Sequence, residues 1–211
     1  MRRSHYALFF SALLALPLQL GGCAAEKPTR LYVLNALPEA PGTASAQGLA
    51  VGVGPITLPK YIDRPEIVAR INGNSLVQAE FDQWGGGLDD DITRVLAANL
   101  SSLLESDRVS LYPWKDEAPI EYQVTMDVIR FEQDADGSAV LSAFWSVVDP
   151  SDGRVLLMRR SSYRDAGGPP ASGSSTAKSA HPYDAVVAAM SRDLELLSRD
   201  IAATITKLRA T

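Results

Sequence analysis

Residues 120–163 read Ile-Glu-Tyr-Gln-Val-Thr-Met-Asp-Val-Ile-Arg-Phe-Glu-Gln-Asp-Ala-Asp-Gly-Ser-Ala-Val-Leu-Ser-Ala-Phe-Trp-Ser-Val-Val-Asp-Pro-Ser-Asp-Gly-Arg-Val-Leu-Leu-Met-Arg-Arg-Ser-Ser-Tyr. Ile120, Tyr122, Val124, Met126 and Val128 alternate with Glu121, Gln123, Thr125 and Asp127, the period-2 pattern of a half-buried antiparallel strand. Asp134 to Gly137 turns the chain into Ala139–Val148, which holds Phe144 and Trp145. Asp149 to Gly153 turns it again into Val155–Tyr163. Asp-Gly turns joining long apolar runs predict a three-stranded meander, the centre of the fold.

Working toward the N-terminus, Leu88, Ile92, Val95, Leu96, Leu100, Leu103 and Leu104 recur at helical spacing. Asp89, Asp90 and Asp91 crowd the first turn of this helix, where its dipole favours negative charge. Successive helical residues fan about 100° apart, so the three acids cannot all face one metal ion. Before the helix, Leu58–Trp84 opens with a loop framed by prolines, which carries Tyr61, Asp63 and Arg64 side by side. It continues as strands at Glu66–Ile71 and Ser75–Phe81 across Asn72-Gly73-Asn74, a hairpin signal that calls for positive φ. Trp84 and Gly85–Gly87 lead into the helix. Leu31–Leu34 and Leu49–Val53 are further strands, with Gly52 and Gly54 permitting a bend or a close approach.

Beyond the meander, residues 166–180 are a Gly/Ser/Pro loop by composition. A second helix after Pro182 places Val186, Val187, Met190, Leu194, Leu197, Ile201 and Ile205 on one stripe. Strands and helices intersperse without a βαβ repeat. The expected class is therefore α+β: a single domain with a mixed, mainly antiparallel sheet, a three-stranded meander and two long helices packed on it.

The chain has 211 residues, with 46% hydrophobic and 21% charged, a globular composition. Its first 22 residues stand apart. Arg2 and Arg3 precede an apolar run from Tyr6 to Leu20, then Gly21 and Gly22, which is the layout of a secretory signal. The sole cysteine, Cys23, follows directly. Leu20-Gly21-Gly22-Cys23 resembles the lipobox of bacterial lipoproteins; the alternative is an ordinary signal with an incidental cysteine. The resemblance implies a diacylglycerol on the Cys23 thiol, cleavage before it, and acylation of the new amine with palmitate or a similar chain. Ala24, in place of an aspartate, implies the outer membrane by the enteric sorting rule. The expected division is 1–22 signal peptide, 23–30 lipidated tether and 31–209 folded domain. Loss of Arg2 and Arg3 moves the net charge from −5 to −7. An acidic body with no basic stripe argues against nucleic acid.

No catalytic set is legible. After the signal the only histidine is His181, in a loop beside Pro182, with no nucleophile to serve. Metal-ligand spacing of Cys and His is absent. Val-Gly-Val-Gly-Pro lacks the third glycine of a dinucleotide fingerprint and meets proline instead of a helix. Aspartates at the mouth of the Gly85–Gly87 helix would repel an anion. The expectation is a non-enzymatic protein without metal or cofactor.

The lipobox, Leu-Pro-Lys-Tyr-Ile-Asp-Arg-Pro-Glu-Ile-Val-Ala-Arg at 58–70 and the Trp84 helix entrance together resemble ABC-type transport auxiliary lipoproteins, in particular the PqiC family. Arg130-Phe131-Glu132, Leu141–Trp145 and the Tyr183–Ala189 start of the last helix match as well, and the resemblance covers about 20–205. Gly85–Gly87 departs from the family pattern, where bulkier residues are expected. The resemblance implies a lipid-anchored subunit of an intermembrane lipid transport system. That subunit docks a periplasm-spanning MCE-domain protein at the outer membrane and leaves room for a homo-oligomer. Tyr61, Asp63, Arg64 and Trp84 are the candidate partner contacts; alternatively Tyr61 and Trp84 plug the core while Asp63 and Arg64 shape the turn. The competing function is a periplasmic lipid carrier with its own apolar pocket.

Overall fold

The computed structural model describes residues 27–38, 45, 48–114, 119–167, 181 and 183–210. Cys23, the expected signal segment, and most of the loop expected at 166–180 lie outside the described residues. The elements are β1 (Arg30–Tyr32), β2 (Val51–Thr57), β3 (Glu66–Asn72), β4 (Ser75–Trp84), α1 (Leu88–Leu104), β5 (Val109–Leu111), β6 (Tyr122–Gln133), β7 (Ala139–Asp149), β8 (Arg154–Asp165) and α2 (Asp184–Arg209). The class is α+β: one mixed sheet of eight strands with two helices on it.

β6 is the organising strand. One edge pairs along its length with antiparallel β7, which pairs with antiparallel β8. Its other edge is shared: parallel β2 takes the first half, and parallel β3 touches at Ala69 opposite Gln133. The β3–β4 hairpin extends the sheet to β1, and β5 lies beyond β2. The long ladders are antiparallel and the short ones parallel.

The meander turns follow the sequence reading, with Gly137 at φ 88° and Gly153 at φ 72°. The Asn-Gly turn does not. Neither Gly73 nor Asn74 has positive φ. Instead the Asn72 side chain accepts the Asn74 N–H at 3.0 Å, and the register slips at Ile71. That local side-chain bond replaces the left-handed turn. β2 also runs further than expected, through Pro55, because the β2–β6 register shifts between Val53 and Ile56 and asks no donor of the proline. Gly54 sits there at φ 115°, and a Cβ on it would lie 2.7 Å from the Tyr112 Cβ. The first strand ends at Tyr32, and residues after it leave the sheet.

Both helical stripes are buried as their spacing implies, apart from the half-buried Leu103 and Leu104. α2 lies against β7 and β8, α1 against β2 and β5, and the helices touch each other. Trp145, Phe131, Met126, Leu141, Met190 and Leu194 fill the space between helices and sheet. A register shift between Val128 and Arg130 resets the alternation of β6. Phe131 thereby joins the core face, and Glu132 turns to the opposite one.

Candidate functional site

The proline-framed loop is a tight, tethered turn. Ile62 and Asp63 both donate their N–H to the Pro59 carbonyl, at 3.0 and 3.3 Å, and the Arg64 N–H reaches Ile62 at 2.9 Å. Ile62 is buried in the core. Tyr61 is half-buried, with its hydroxyl donating to the Ile129 carbonyl at 3.4 Å, and burial pushes its phenol well above the ordinary value. Asp63 is exposed. Arg64 donates to Glu66 at 3.0 Å rather than pairing with Asp63. The Glu66 carboxyl is held below its usual range by its own backbone N–H and by Arg64.

Trp84 is brought to the same place by its backbone, whose N–H donates to the Pro65 carbonyl at 2.8 Å. Its ring is 6% exposed and belongs to the core, inside the expected contact surface instead of on it. The loop therefore presents Asp63 and Arg64 outward, with Ile62 and Trp84 behind them and Tyr61 between.

Behind this loop stands a cluster that sequence reading missed. The Glu132 side chain, 0% exposed, lies 2.7 Å from Arg70 and 3.0 Å from Arg130. Arg130 reaches on to Asp134 at 3.3 Å, and Arg70 also donates to the Gly73 carbonyl at 3.0 Å. The cluster ties the middle of the sheet to the β3–β4 hairpin. Its sequence signal is faint: Arg-x-Glu on one face at the end of an apolar strand.

After β1 the chain becomes a strap across both helices. The Leu34 N–H donates to Asp91 at 2.6 Å and the Leu34 carbonyl accepts from Arg94 at 3.0 Å. The Asn35 N–H donates to Ser191 at 3.1 Å, and the Leu37 N–H to Asn99 at 2.7 Å. Asn99 in turn donates to the Ser198 hydroxyl at 3.0 Å. Asp91 is thus a ligand for a backbone amide as well as a first-turn acid. An open cleft of about 560 Å³ lies beside the strap, lined in part by Val33, Gly85–Gly87, Asp90 and Arg94.

At its start the strap is anchored by Arg30, bonded to Asp82 through two nitrogens at 2.6 and 3.0 Å. The buried Tyr32 hydroxyl joins the same carboxylate at 3.1 Å, and burial pushes it up to about 12. His181 is exposed, with a ring nitrogen 3.3 Å from Arg30. Asp193 of α2 is fully buried, and neither carboxylate oxygen has a hydrogen-bond partner. Burial, then the nearby Asp165, raises it to about 7. Among the described residues no group of three or more His, Cys, Asp or Glu stands together as a metal site would need. Among them too, no helix is long and apolar enough to cross a membrane.

The sequence matches the family model described as ABC-type transport auxiliary lipoprotein component over residues 32–202. No curated protein matches it. Among solved structures, the chain is similar to an uncharacterized protein at 19% identity, covering 85% of this chain and 99% of that one, with a TM-score of 0.65. A Xanthomonas campestris protein of the DUF330 family is as similar, at 19% identity, 87% and 100% coverage and a TM-score of 0.65. The PelC dodecamer from Paraburkholderia phytofirmans shares 16% identity over 81% of this chain and 95% of its own, with a TM-score of 0.41, too distant to argue from. At such identities these likenesses speak to fold alone.

Proposed function

The chain belongs to the family of ABC-type transport auxiliary lipoprotein components, and from that membership we propose a non-catalytic subunit that docks its transport partner at the outer membrane. Acylated Cys23 holds the domain at the inner leaflet, facing the periplasm. The Tyr61–Arg64 loop meets the end of a periplasm-spanning MCE-domain protein of an intermembrane lipid transport system. The observation that carries this reading is the build of the loop. Its backbone is pinned by three hydrogen bonds and by buried Ile62, yet Asp63 is exposed beside Arg64. A rigid turn offering charge over a half-buried tyrosine loses little conformational entropy on docking, and tyrosine and arginine are favoured at interface centres.

The carrier alternative asks for an apolar pocket between helices and sheet. Phe131, Trp145, Leu141 and Met190 occupy that space, and no observation favours it. The test is capture of the partner MCE protein by the lipidated chain and by an Asp63→Lys/Arg64→Glu form with an unchanged melting temperature. Binding weakened at least tenfold supports the docking surface; undiminished binding removes it.

A further inference from the structure

The lipid anchor and the β3–β4 hairpin point the same way. β1 runs parallel to β4 with Arg30 opposite Asp82, so the chain before Arg30 heads back along β4 toward Ser75. Lys27 follows that path: its ammonium lies 5.1 Å from the centre of the Phe81 ring. Three residues, Ala24, Ala25 and Glu26, lie between Lys27 and Cys23, so four steps of chain reach at most about 14 Å. From Phe81 back to Ser75 along β4 is about 20 Å. The tip therefore extends at least about 6 Å further along this line than Cys23 can, so a bilayer holding acyl chains on Cys23 meets it.

The tip has the composition for that meeting. Residues 71–79, Ile-Asn-Gly-Asn-Ser-Leu-Val-Gln-Ala, contain no charged side chain in a protein that is 21% charged. Ile71, Leu76 and Val77 are 40%, 39% and 38% exposed. Leu76 opposes Arg70 and Val77 opposes Ala69 in unbroken register, so these two neighbours project from opposite faces of the hairpin. A protein partner or a second copy would cover one face. A headgroup layer surrounds both, which is the environment that apolar side chains on two faces fit. The tip is also braced, because Arg70 holds the Gly73 carbonyl at 3.0 Å while bound to Glu132.

We propose that the tip of the β3–β4 hairpin, residues 71–77, seats in the headgroup layer of the bilayer that holds the anchor. The domain then stands on two points, the acylated Cys23 and the hairpin. This rests on the reading that Cys23 is acylated. The Tyr61–Arg64 loop precedes β3, whereas the tip follows it, so the seated hairpin directs the start of β3 away from the membrane.

The test uses the lipidated chain in phosphatidylethanolamine/phosphatidylglycerol vesicles carrying a nitroxide phospholipid. Acylation consumes the Cys23 thiol, so a fluorophore can be placed singly at Asn74→Cys or, as a control, at Asp152→Cys in the β7–β8 turn. The expected result is a blue-shifted Asn74 label quenched several-fold more strongly than the Asp152 label. Adding Leu76→Asn and Val77→Asn, with the melting transition retained, should remove most of that difference. Equal quenching of the two labels in protein whose intact mass carries the acyl chains overturns the hairpin contact alone. So does excimer formation between pyrenes at Asn74, which would mean that the tip meets a second copy. An intact mass without acyl chains overturns the anchor, and the inference with it.

Discussion

The Arg70 guanidinium reaches the fully shielded Glu132 carboxylate at 2.7 Å and binds the β3–β4 hairpin to the central strand. β3 and β6 share only one register position, Ala69 opposite Gln133. The ion pair therefore supplies cohesion that the backbone ladder there does not. It also stands behind Tyr61, whose hydroxyl bonds the same strand at Ile129.

Glu132 is the carboxylate that both arginines share, and without it Arg70 keeps only the Gly73 carbonyl and Arg130 only Asp134. Glu132→Ala is expected to destabilise the domain by about 3–5 kcal/mol, with Arg70→Ala milder because Arg130 remains on the carboxylate. Urea melts of the two variants check this order. Equal stability to the native chain would show that the cluster is dispensable.

Asp193 carries a pH dependence with a definite sign. Its folded value, about 7, lies above the ordinary carboxylate value of 3.8 because it is buried beside Asp165, with Arg192 and Arg164 opposing. The folded state therefore holds its proton more tightly than the unfolded state, so stability declines as pH rises from about 4 to about 7 and then levels off. Asp193→Asn should stabilise the protein at pH 8 and change little at pH 4. At this chain length each kcal/mol gained corresponds to roughly 2–4 °C in melting temperature. Melting curves at the two pH values decide it; a gain of the same size at both would contradict the assignment.

The strap depends on Asn99, which accepts from Leu37 and donates to Ser198 within the helix pair. Asn99→Ala leaves the Leu37 N–H without its acceptor, while the Ser198 hydroxyl keeps its bond to the Leu194 carbonyl, a loss of about 1–3 kcal/mol. Amide exchange should quicken most at Leu37. Uniform acceleration across the domain would point instead to global destabilisation.

Legibility in the sequence followed the range of the forces involved. The meander and both helices were readable because periodicity and Asp-Gly turns act within a few residues; Gly137 and Gly153 adopt the positive φ those turns need. The turn at Asn72–Ser75 misled because the Asn72 side chain captures the Asn74 amide, a local alternative that composition does not separate from a left-handed turn. Trp84 read equally well as surface or core, and its 6% exposure follows from elements far away in the chain.

The sequence by itself determined the α+β class, the meander and the two apolar helix stripes, since each depends on neighbours along the chain. Only the tertiary structure decided that β6 shares one edge between β2 and β3, that Glu132 is buried on the face opposite Phe131, and that residues 33–37 strap the helices together. The physical reason is that alternation tells which residues share a face of one strand. What covers that face, and which charge is shut inside, is set by elements 60 or more residues away, as Glu132 and Arg70 are at a separation of 62.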